Sequence, residues 1–132
     1  MTELRRPRAI PEREIALALV RTLAESDLTH FALLGAYDED AAFISAVARR
    51  LHAMEDDAFH RKLVRVVRAL VRAGALDAQM SGTHRYYAGE PPRQMEYQFA
   101  RPGTSTLLRG ENADFEAAFL IRRAYPRPEV DD

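Results

Sequence analysis

The chain has 132 residues, 47% hydrophobic and 30% charged, with a net charge of −1. That is the make-up of one soluble globular domain whose core is large enough to stand without staples. It contains no cysteine, which excludes disulfides, thiol nucleophiles and cysteine-ligated metal sites and suits a reducing interior. No stretch approaches the ~18 apolar residues of a membrane span and the first residues lack a signal-peptide core, so a cytoplasmic protein with no membrane partner is expected.

Residues 1–10 read as a basic arm, with Arg5, Arg6 and Arg8 around Pro7 and no periodicity. Pro11 suits a first helical turn, and Glu12 and Glu14 suit the positive end of a helix dipole. Ile15, Leu19, Val20 and Leu23 form an apolar face that Ala16, Leu17 and Ala18 nearly close into a cylinder, which predicts a helix over about 11–25. Residues 26–37 are short and apolar, and 28–35 read equally as strand or short helix. Asp38 or Asp40 is placed to cap a second helix with Phe43, Ile44, Val47 and Leu51 inward.

Asp56 or Asp57 is placed to cap a third helix that runs to Gly74, a left-handed C-terminal stop. Phe59, Leu63, Val66 and Leu70 are spaced four, three, four, and so are Arg61, Arg65, Arg68 and Arg72. At 100° per residue the two sets fall on opposite sides of one helix. One side is built for a core and the other is a row of positive charge. Like charges at this spacing repel by a few tenths of a kcal/mol per pair, so an anion against the row would relieve it; the plainer reading is a solvated face.

Beyond Gly74 the period changes. Residues 76–80 are short and mixed, Ser81-Gly82 signals a turn, and His84–Ala88, with Tyr86 and Tyr87, favours a strand. Residues 90–93 interrupt any ladder. Met95, Tyr97 and Phe99 then alternate with Glu96 and Gln98 as in a half-buried strand. A small antiparallel sheet with turns at 81–83 and 90–93 is the expected product. Asn112 is placed to cap a last helix over about 113–124 with Phe115, Phe119 and Leu120, stopped by Pro126. The expected fold is α+β and mainly helical.

Charge is unevenly spread. Residues 26–60 carry two arginines against seven acids, a net −5; residues 61–109 carry nine Lys/Arg against three acids, a net +6; residues 110–132 carry three arginines against six acids, a net −3. A contiguous basic unit points to a polyanion partner, unless the acidic segments neutralise it within the fold. The four histidines, His30, His52, His60 and His84, include no metal-binding pair on one helical turn, and no phosphate loop or nucleophile elbow occurs. The acid clusters at 38–40 and 55–57 sit at helix starts, where capping accounts for them.

The order helix, short element, helix, helix, hairpin, with residues 47–51 and then the run 63–76 ending Arg72-Ala73-Gly74-Ala75-Leu76, resembles a winged helix-turn-helix domain over residues 11–101. Residues 86–99 resemble the wing. The resemblance implies a DNA-binding transcriptional regulator without enzymatic activity or cofactor. It implies that the third helix enters a major groove, with His60, Arg61 and Arg65 near base edges and Lys62, Arg68, Arg85 and Arg93 on phosphates, while Arg5, Arg6 and Arg8 reach a minor groove. Asp56 and Asp57 depart from the small polar residues usual at the start of that helix. They keep open the alternative of an interaction module that sets the same basic face against an acidic protein. Residues 102–125 would form an extension that docks on the first helix or makes a homodimer through Phe115, Phe119 and Leu120, and 126–132 a frayed tail.

Overall fold

The computed structural model describes residues 3–34, 38–80 and 94–127, and its architecture is α+β and mainly helical. Helix α1 (Glu12–Glu25) is the hub. Ile15, Ala16, Ala18, Leu19, Val20, Leu23 and Ala24 are all buried, because α2 (Asp38–Arg50), α3 (Asp57–Arg72), α4 (Thr104–Leu108) and α5 (Ala113–Ile121) all pack on it. An apolar cylinder has to sit inside a bundle, and this one does.

Helix α3 has the amphipathicity its spacing predicts. Phe59, Leu63, Val66, Val67 and Leu70 are fully buried, and Arg61, Arg65, Arg68 and Arg72 are exposed. Of the two candidate caps, Asp56 is the one used: its carboxylate accepts the Phe59 N–H at 2.8 Å. The helix ends in a Schellman pair, Ala75 N–H to Leu70 O at 2.9 Å and Gly74 N–H to Val71 O at 3.0 Å. Gly74 takes φ +82°, which glycine adopts without a Cβ penalty. Helix α2 ends the same way on a residue that does pay that penalty. Ala53 N–H bonds Ala48 O at 2.9 Å, and His52 sits at φ +53°.

The Schellman turn sends the chain back as β1 (Leu76–Met80), which pairs antiparallel with β2 (Met95–Phe99), Leu76 opposite Phe99 and Met80 opposite Met95. The mixed segment 76–80 is therefore a strand. Its anchors are the buried Leu76 and the ladder itself; context overrides its weak propensity. The expected strand at 84–88 and both expected turns lie outside the described residues. On β2, Tyr97 and Phe99 pack against the core, whereas Met95, expected inward, is 38% exposed.

The ambiguous segment after α1 is extended at Phe31. Its N–H and C=O exchange hydrogen bonds with Tyr97 at 2.9 and 2.8 Å, an antiparallel bridge that sets a third extended segment beside β2. Phe31 is fully buried and stacks at a tilt on Phe43 and Tyr97, with ring centroids 4.7 and 5.5 Å away. Asp38 and Asp40, expected as caps, both lie within the first turn of α2. Asp40 is buried, and its carboxylate accepts the Ala32 N–H at 3.1 Å, tying the extended segment to α2.

The C-terminal part holds two helices rather than one. Gly103, at φ +84°, turns the chain into the short α4, and Leu108 enters the core. Helix α5 docks on α1 through Ala113, Ala117 and Ile121. Asn112 precedes α5 but makes no side-chain cap. Phe115 and Phe119 point outward, 70% and 51% exposed, and Arg122 lies over the Phe119 ring at 4.1 Å.

Candidate nucleic-acid interface

The outward face of α3 carries Arg61, Arg65, Arg68 and Arg72. At 1.5 Å per residue the row spans about 16 Å. Among the described residues, Arg61, Arg68 and Arg72 have no carboxylate within ion-pair distance, and Arg65 has one, Glu12, with Nε 3.6 Å from Oε2. The other Glu12 oxygen accepts the Tyr125 hydroxyl at 3.1 Å. Burial first, then the Glu12 charge and hydrogen bond, hold that hydroxyl well above its ordinary value of 10, against the opposing pull of Arg72 and Arg65. Tyr125 therefore remains a proton donor, with its ring packed on the core. Neither Glu12 nor Tyr125 was expected at this face. The only local sign of Glu12 was its place in the first turn of α1, and Tyr125 is 113 positions from it in sequence.

Lys62, one residue past Arg61, has a different environment. Its ammonium donates to the Pro7 carbonyl at 3.0 Å and to the Ile10 carbonyl. It thus holds the N-terminal segment, including the short 3-10 turn Pro7–Ala9, against α3. His60 is half-buried and sits about a quarter turn off the arginine row, beside Val64 and Arg68 on the flank that faces the sheet. Arg85 and Arg93 lie outside the described residues.

The residues read as a basic arm are docked from residue 5 onward. Arg5 N–H donates to His52 O and Met54 N–H to Arg5 O at 2.9 Å, a parallel bridge to the turn between α2 and α3. The Arg5 guanidinium grips Glu14 with both nitrogens, Nη2 to Oε1 at 3.0 Å. That bond, outweighing burial, holds the Glu14 carboxyl below its ordinary range and Arg5 above its own. Arg6 and Arg8 stay exposed and line an open cleft of about 910 Å³ together with Glu3 and Asp56.

The acid clusters form no metal site among the described residues, and none of the described helices is long and apolar enough to cross a membrane. No family model, curated protein or solved structure matches the chain.

Proposed function

We propose that residues 11–101 form a winged helix-turn-helix unit that binds duplex DNA through α3, as a cytoplasmic transcriptional regulator without enzymatic activity. The observation that carries the reading is the row of Arg61, Arg65, Arg68 and Arg72. All four are exposed on a helix whose other side is locked in the core, and one carboxylate, Glu12, faces them among the described residues. An α-helix of this diameter fits a major groove, and guanidinium groups pair with phosphates and with guanine edges. The topology is compatible: α1, an extended segment at Phe31, α2, α3, and two paired strands, with Phe31 and β1 both bonded to β2. Arg61, Arg65, Arg68 and Arg72 are the proposed contacts, and Lys62 is assigned to the fold instead.

The test is fluorescence anisotropy with mixed-sequence duplex DNA at several salt concentrations, wild type beside Arg65→Ala/Arg68→Ala. Micromolar binding is expected at low salt, with log K falling against log[salt] by about 0.9 per phosphate contact, so the double variant should lose up to about 1.8 of that slope. Absence of binding at low salt refutes the reading.

A further inference from the structure

The flank of α3 that faces the sheet carries a second surface. His60, Val64 and Arg68 repeat every four residues along it and form one wall of an open cleft of about 310 Å³. The opposite wall contains Met80 and Met95, directly opposed at the last pair of the ladder, so their side chains share one face of the sheet. Leu34, three residues after Phe31, adds a third apolar side chain. Leu34, Met80 and Met95 are 68%, 50% and 38% exposed. Three large apolar side chains gathered in one cleft differ from apolar residues scattered singly, and such patches mark interaction sites. Methionine makes them adaptable to varied partners.

The cleft's charge is one-sided. Arg68 stands on its rim, His60 is beside it, and no carboxylate lines it among the described residues. A duplex backbone offers nothing to an apolar floor. A small ligand would leave much of itself in water in so open a cleft, since small-molecule sites bury most of their ligand. An amphipathic protein segment meets both features, with apolar side chains at helical spacing for the floor and a carboxylate for Arg68 at the rim. We propose that the cleft between α3 and the sheet is a docking site for an acidic amphipathic helix of a partner protein. The inference rests on the acidic-partner reading of the basic face, to which it adds a place and a chemistry, and not on DNA binding.

The chain has four methionines, so 13C-methyl-methionine labelling gives a small spectrum in which Met80 and Met95 report the cleft and Met54, in the separate cleft by Arg6, serves as control. The probes are a 14-residue Leu/Glu peptide with leucines at i, i+3, i+4 and i+7, a poly-glutamate of equal charge, and a 15-base-pair duplex. Saturable shifts of Met80 and Met95, but not Met54, are expected with the patterned peptide alone. Leu34→Ser/Met80→Gln, which alters only exposed side chains, should weaken that peptide about tenfold or more, and Arg68→Ala should reduce its salt dependence. Equal shifts with poly-glutamate, no shift at Met80 and Met95, or unchanged affinity in the Leu34→Ser/Met80→Gln variant would each overturn the inference. Duplex binding without peptide binding sinks the docking site and leaves the DNA reading standing. Peptide binding without duplex binding does the reverse.

Discussion

Lys62 and Arg61 are neighbours in sequence with the same charge, yet their surroundings differ: Lys62 bonds two carbonyls and Arg61 is exposed. Replacing Lys62 by Met keeps most of the aliphatic stem and removes two hydrogen bonds from a charged donor to the Pro7 and Ile10 carbonyls. Hydrogen bonds involving a charged group contribute about 1.5–3 kcal/mol each. Lys62 is only half-buried, so water replaces part of this, and the loss should be about 2 kcal/mol. For a domain of this size that lowers the melting temperature by roughly 6–8 °C. Among the described residues Arg61 has no such partner, so Arg61→Ala should stay within about 0.5 kcal/mol of wild type. The DNA readout should invert. Arg61→Ala should lower the salt slope by about 0.9, while Lys62→Met should leave it unchanged at a temperature where both variants are folded. Urea or thermal melts beside salt-dependent anisotropy measure both quantities. A Lys62→Met protein of wild-type stability with a salt slope reduced by a full contact would refute the assignment.

Phe31→Ala should cost about 3–5 kcal/mol and show in the melt, because Phe31 is fully buried against Phe43 and Tyr97. Glu14 has its carboxyl lowered from the ordinary 4.5 by Arg5, so this pair contributes stability above pH 4.5 that is lost as pH falls through the folded-state value. The Glu14→Gln variant should therefore be less stable than wild type at pH 7, by no more than about 1 kcal/mol for so exposed a pair, and their melting temperatures should converge on acidification below pH 4.5. At a concentration where both proteins are monomeric, Phe115→Ser/Phe119→Ser should melt within about 2 °C of wild type, because both rings face outward. Sedimentation of the two proteins tests the expected homodimer, which requires concentration dependence in wild type and its loss in the variant. Gly74→Ala places a Cβ with nothing within 4 Å of it, so its cost is backbone strain alone, about 1–2 kcal/mol. His52→Gly should act with the opposite sign, gaining roughly 0.5–1 kcal/mol in the same urea melts.

The elements legible in the sequence are those whose cause is local. Helix α3 is the clearest, since Asp56, the four-three-four spacing and Gly74 act within one segment and agree with each other. The 76–80 strand was not legible, because Leu-Asp-Ala-Gln-Met has no period. What makes it a strand is the direction in which the Schellman turn releases the chain and the presence of β2 to receive it. Likewise Phe115 and Phe119 read either as the docking side of α5 or as a dimer contact, and they are not the docking side. The small residues Ala113 and Ala117 take that place beside Ile121, because close approach to an already crowded α1 favours the face with less bulk. The candidate site divides in the same way. Helical spacing alone puts Arg61, Arg65, Arg68 and Arg72 outside, and it also puts Lys62 about 100° from Arg61, off the row. Spacing does not say what Lys62 meets there, and the answer is a pair of carbonyls, one of them 55 residues earlier in the chain. The direction of a side chain follows from its own helix; whether its charge is free for a ligand depends on what the rest of the chain brings up to it.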